Sequence, residues 1–160
     1  DTIDEIDRTA RIRFEITFEK IKGNFESLFQ LFFEGGNASI KLIKGDDPLD
    51  SDIGITAQPP GKRNVSLRLL SSGEKALTAI ALLFAIYQVK PSPYCILDEI
   101  DAPLDDINVR KFTRVLKKFS TETQFLIVTH NKLTMEMAEY LYGVTQQNKG
   151  VSKLVSVKLD

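Results

Sequence analysis

Three stretches decide the fold: Leu70-Ser71-Ser72-Gly73-Glu74-Lys75, Tyr94-Cys95-Ile96-Leu97-Asp98-Glu99 and Val128-Thr129-His130. The first opens a long apolar helix. The second is an apolar strand that ends in two carboxylates. The third ends another apolar strand at a histidine. A helix start able to cradle an anion, an acidic pair and a lone imidazole therefore fall where strands and helices meet. Together they look like half of a nucleotide-hydrolysis site. The other half, a glycine-rich P-loop of the form Gly-x-x-x-x-Gly-Lys-[Ser/Thr], does not occur in these 160 residues.

Around these stretches the hydrophobic pattern sets the element order. Ile3, Ile6, Ala10, Phe14, Thr17, Ile21, Phe25, Leu28 and Phe32 recur at a mean step of about 3.6, which predicts one helix over 3–33 lying on a globular body. It is polar at its start and phenylalanine-rich at its end, as an arm entering a domain would be. Gly35-Gly36-Asn37 ends it. Strands are expected at 38–44 and 53–58, joined by the polar loop 45–52. Alternation of Val65, Leu67 and Leu69 predicts a third strand. Residues 72–89 are apolar on nearly every face and read as a helix buried between layers, stopped by Pro91 and Pro93. Strand 94–98, helix 106–119 and strand 124–129 form a strand–helix–strand unit, hence a parallel pair. Helix 131–141 and strands 142–146 and 151–159 close the chain. The class is α/β.

Composition excludes several alternatives. The apolar and charged fractions, 42% and 27%, are those of an ordinary globular protein. A net charge of −1 gives no global basic field for nucleic acid, so DNA contact must be local. Lys62, Arg63 and Arg68 form a small basic group best read as a solvated loop. The longest apolar run, 79–87, is far short of the roughly 20 residues that span a bilayer, so no membrane partner is expected. With one cysteine and one histidine, no structural zinc set is available.

Each motif has a plain structural reading beside the chemical one. Ser71 with Glu74 three residues on is a capping box. The same turn offers free N–H groups, a positive dipole end and Gly73 for close backbone approach to phosphate. Asp98-Glu99 ends a buried strand in the Walker B pattern, where the aspartate serves Mg²⁺ and the glutamate polarises water. Its plain reading is a helix cap or a solvated loop. Asp105 or Asp106 caps the helix that follows. His130 is the sole histidine, and at a strand end beside the acids its imidazole can donate to a γ-phosphate.

In this linked order the residues resemble the SMC (structural maintenance of chromosomes) ATPases. Leu70 to Ile86 looks like their signature motif and helix. Lys90-Pro91-Ser92-Pro93 and Ile96 to Asp106 look like their Walker B and D-loop, and Gln124 to Lys132 like their switch-histidine strand. Ala57 to Lys62 resembles the bacterial branch. The likeness covers about residues 10 to 160.

The resemblance implies the C-terminal half of an ABC-type ATPase head, with residues 1–33 the helix arriving from a coiled coil and 34–160 the lobe itself. It implies ATP and Mg²⁺ as cofactors, and hydrolysis only together with the N-terminal P-loop lobe of the same protein. Asp98 would serve Mg²⁺, Glu99 the hydrolytic water and His130 the γ-phosphate. Ser71, Ser72, Gly73 and Glu74 would meet nucleotide on a second head of a homodimer, and the loop from Asp101 to Asp105 would cross between heads. A kleisin-type subunit, DNA and a cytoplasmic, nucleoid-associated role in chromosome condensation and segregation follow. A related coiled-coil ATPase of double-strand-break repair is the alternative. Ser72 stands where the family usually has glycine, which raises the question of backbone strain there.

Overall fold

The computed structural model describes residues 2–43, 47–63, 66–148 and 150–159, with the side chains of 147 and 148 left aside. The element order is α1 (Thr2–Phe33), β1 (Asn37–Ile43), β2 (Asp52–Gln58), α2 (Ser72–Tyr87), β3 (Tyr94–Asp98), α3 (Asp106–Phe119), β4 (Gln124–Val128), α4 (Lys132–Met135), β5 (Tyr140–Asn148) and β6 (Val151–Lys158). Among the described residues the strands form three two-stranded sheets: β1–β2 and β5–β6 antiparallel, β3–β4 parallel.

The core is built where α1, α2 and α3 meet. Phe25, Leu28, Phe29, Phe32 and Phe33 of α1 are buried, and Phe32 packs on Phe84 of α2 with ring centroids 6.5 Å apart. Phe84 also meets Phe119 at 5.4 Å and Phe125 at 6.1 Å, so one ring joins α1, α2, α3 and β4. Asn24 Nδ2 donates to the Ala85 carbonyl at 3.1 Å, pinning α1 to the end of α2. The start of α1 leaves this core: Ile3 and Ile6 are 68% and 61% exposed. The polar-to-apolar gradient read along the helix is therefore the gradient of its burial. In the middle of the stripe it is Phe18 that is buried, stacked on Phe14 at 5.9 Å, and Thr17 that faces out.

The end of α1 is set by Glu34, which takes a left-handed φ of 59° and pairs with Arg114 of α3. Gly36 follows at φ 78°, where a Cβ would sit 2.3 Å from the Gln58 carbonyl oxygen.

Three expectations are corrected. The strand expected at 65–69 is a 3-10 turn over Leu67–Leu69, with Val65 outside the described residues. Among the described residues no strand lies alongside it to complete a ladder, and the chain instead curls into the cap of α2. The helix expected at 131–141 stops after Lys132–Met135, because Tyr140 already pairs with Lys158 in β5–β6. The helix at 72–89 ends at Tyr87 and buries one side only: Ala79, Leu83 and Ile86 are exposed. Lys44, Gly45 and Asp46 of the expected first strand and loop lie outside the described residues.

The Phe84 junction predicts that Phe84→Ala destabilises the chain by about 3–5 kcal/mol. Leu83→Ala, one residue along on the exposed side, should change stability by less than about 0.5 kcal/mol. Urea unfolding of the two variants measures the contrast.

Candidate functional site

The register of β3 and β4 builds one cluster. Tyr94 pairs with Gln124, Ile96 with Leu126 and Asp98 with Val128, so all six side chains share one face. That face is open: Tyr94 is 59% exposed, Ile96 64%, Leu126 49% and Val128 55%. The opposite face, with Leu97 buried and Phe125 and Ile127 partly so, rests on the core. Asp98, Glu99 and His130 stand at the carboxyl end of the open face, all exposed. His130 Nδ1 lies 3.9 Å from Glu99 Oε1.

Glu99 sits at φ 47°, a left-handed conformation that a residue with a Cβ adopts only at some cost. Its N–H donates to the Val128 carbonyl at 2.9 Å, and its own carbonyl accepts from Ala102 N at 3.1 Å. The β3–β4 ladder and the following turn thus hold the strained residue and aim its carboxylate off the strand end. Such strain gathers at working sites.

A second cluster forms at the start of α2. Ser71 Oγ accepts from Glu74 N at 3.2 Å and Glu74 Oε2 accepts from Ser71 N at 2.8 Å, a complete capping box. Ser72 is the first residue of the helix and has no positive φ, so serine is unstrained there. Gly73 is buried against the start of α3: a Cβ would lie 2.8 Å from Asn108 Nδ2 and 3.4 Å from Asp105 Oδ2. A side chain at this position would force Asn108 to shift. Asp105 caps α3, accepting from Asn108 N at 2.8 Å and from Asn108 Nδ2 at 3.2 Å.

Sequence reasoning read Lys62 as part of a solvated basic loop and missed its partner. Its Nζ lies 2.6 Å from Glu74 Oε2, tying the Pro-Pro-Gly-Lys loop to the capping box. That pairing takes Lys62 out of the basic group read from sequence. Burial by itself raises the Glu74 carboxyl, but bonds from Lys62 and Ser71 outweigh it and hold the group below its ordinary value of 4.5.

Asp101 departs from the expected part. It is only 1% exposed, and its carboxylate accepts from Thr129 and Thr134 rather than facing outward. Thr129 and Thr134 were missed, since nothing in their spacing singles them out.

For Mg²⁺ the donor set fits. No group of three or more His, Cys, Asp or Glu forms a cage among the described residues. One exposed carboxylate at a strand end, Asp98, suits an ion that keeps several waters and takes phosphate oxygens.

Comparison with known proteins places this geometry. Residues 8–153 match the family model described as the RecF/RecN/SMC N terminal domain. The chain is 52% identical over 158 residues to the Chromosome partition protein Smc of Methylococcus capsulatus, covering 99% of this chain and 13% of that one. It therefore spans about 13% of the length of the curated relatives it matches. A solved structure described under ATP-driven dimerization and DNA stimulated activation of SMC ATPases superposes with a TM-score of 0.83 at 40% identity, covering 92% of this chain and 89% of that one. A Smc head domain with an extended coiled coil, bound to the C-terminal domain of ScpA and derived from Pyrococcus furiosus, gives 0.82 at 40% identity, covering 98% and 39%.

The lowered Glu74 carboxyl predicts a pH signature. Stability from this group is complete above its unfolded value and is lost as pH falls through the folded one. Thermal melts from pH 7 down to about 3 should show wild type losing more stability than Glu74→Gln, with the gap opening below the ordinary glutamate range. Lys62→Met should reduce that gap.

Proposed function

The chain belongs to the SMC family, and from that premise we propose that it is the C-terminal lobe of an SMC head ATPase acting in chromosome condensation and segregation. Residues 1–33 bring the coiled coil to the head, and residues 34–160 form the lobe. The observation that carries this reading is the open face of β3–β4. Two acids and a histidine stand at the rim of an apolar surface that nothing in the described residues covers. Burying a large apolar side chain contributes about 1.5–3 kcal/mol. Four such residues left in water mark a missing layer, and the N-terminal P-loop lobe of the same protein is the layer proposed to supply it. Its strand and loop would bring the triphosphate grip to the edge where Asp98, Glu99 and His130 wait.

In the assembled head, Asp98 helps hold Mg²⁺, whose charge offsets that building on the phosphates when it is bound. Glu99 accepts a hydrogen bond from the attacking water and orients it on the γ-phosphorus. The left-handed turn at Glu99 keeps that carboxylate fixed relative to the strand end. His130 donates to a γ-phosphate oxygen from the Glu99 side. Ser71 and the N–H groups at the start of α2 meet the γ-phosphate held on a second head, with the loop from Asp101 to Asp105 at the contact between heads. The γ-phosphate then holds two heads together until it is cleaved.

Partners follow from the same reading. The β5–β6 ribbon leaves Tyr142, Val144 and Leu154 exposed at 64%, 73% and 63%, a surface suited to a kleisin-type subunit such as the ScpA domain in the related structure. DNA is the proposed load, and the cytoplasmic nucleoid the place of work. That the relative compared above is a chromosome partition protein supports partition over break repair.

The test is reconstitution. The chain alone should hydrolyse no ATP, and adding the P-loop lobe should bring turnover. Glu99→Gln in the pair should lower kcat by at least about 100-fold while ATP still joins two heads. Turnover by the isolated chain, or turnover retained by Glu99→Gln, contradicts the assignment. Steady-state phosphate release and size-exclusion chromatography read the two properties.

A further inference from the structure

Asp101 carries a buried carboxylate that the hydrolytic scheme leaves without work. It is 1% exposed. Its Oδ2 accepts from Thr129 Oγ1 at 2.6 Å and from Thr134 Oγ1. Thr129 Oγ1 in turn accepts from Asn131 N at 2.9 Å, and Asn131 Oδ1 accepts from Leu133 N at 2.9 Å. Both neighbours of His130 and the first turn of α4 therefore hang from one carboxylate oxygen. The imidazole itself is 74% exposed, and its nearest carboxylate, Glu99, is 3.9 Å away. With so little held at the ring, its position is set by its backbone, and that backbone is set by Asp101.

The expense of burying the carboxylate points the same way. A buried charged group is costly unless donors replace its water. Here two hydroxyls do so, and among the described residues no buried side-chain polar atom is left without a partner. An apolar residue here would leave the hydroxyls of Thr129 and Thr134 without their acceptor, so the carboxylate's two directed bonds hold this corner. Asp101 itself lies in the loop that follows Glu99, where its carbonyl accepts from Leu104 N at 3.0 Å, so its bonds to Thr129 and Thr134 tie that loop to the corner at His130.

We propose that Asp101 is a positioning residue for His130: through Thr129 and Thr134 it fixes the corner between β4 and α4 so that the imidazole meets the γ-phosphate beside Glu99. The proposal rests on the reading of His130 given above.

The experiment uses this chain reconstituted with the P-loop lobe. Asp101→Asn keeps the shape and weakens the acceptor. Outer partners of a working histidine typically contribute about 10–100-fold, so kcat should fall within that range while KM for ATP moves less than about twofold. In a His130→Ala background the same substitution should add nothing, because its effect passes through the ring. Thr129→Val should behave like Asp101→Asn, and Thr129→Ser, which keeps the hydroxyl, should restore turnover.

An independent readout comes from ring-¹³C histidine incorporated in this chain alone. Its one histidine gives one imidazole signal, which Asp101→Asn and Thr129→Val should shift and broaden and Thr129→Ser should leave in place. A full loss of kcat that persists in the His130→Ala background, or an unmoved imidazole signal, overturns the proposal. Absence of turnover in the wild-type pair instead overturns the ATPase reading, and the imidazole signal still decides whether Asp101 positions the ring.

Discussion

Two parallel strands cannot bury both of their own faces. β3 and β4 satisfy one face on the aromatic core and leave the other open, with Ile96, Leu126 and Val128 in water. The rest of the chain's chemistry hangs on that constraint. The acids and the histidine emerge at the carboxyl end of this pair, where α/β sheets bind ligands. Under the proposed function, the groups that grip phosphate come from the lobe that covers the open face.

The helices give the open pair a rigid base. Phe84 touches three other rings from α1, α3 and β4, and α1 is tied to α2 again at Asn24. α1 leaves this base as an exposed apolar-striped arm. Its buried end packs on α2, whose first turn carries Ser71 and Gly73. That turn is held from two further sides, by Lys62 on Glu74 and by Asp105 and Asn108 against Gly73. The two helix starts pack closely at this glycine.

Much of this was legible in the sequence wherever a pattern was local. The ends of α3 follow from the Asp105 cap and the 3.6-residue period, and the parallel pairing of β3 with β4 from two apolar runs around one helix. The acid pair, His130 and the Ser71 capping box could be read by position alone. What failed depended on distant partners. Val65, Leu67 and Leu69 alternate like a strand, yet with no neighbouring strand among the described residues Leu67 to Leu69 curl into a turn. The helix after Asn131 is cut short by a ladder whose other strand lies about twenty residues on. Helix 72–89 looked buried all round because its residues are apolar on nearly every face, yet Ala79, Leu83 and Ile86 face outward. Asp101 was read as part of a loop that would cross between heads. Only coordinates show its carboxylate turned inward to two threonines that carry no signal of their own.

The claim that the β3–β4 face is half of a core is tested most directly by amide hydrogen exchange. Backbone amides of residues 94–98 and 124–128 should exchange rapidly in the isolated chain and slow by about 100-fold or more once the P-loop lobe is added, with β5–β6 unchanged. Full protection in the isolated chain, or no slowing when the lobe is present, would contradict the account.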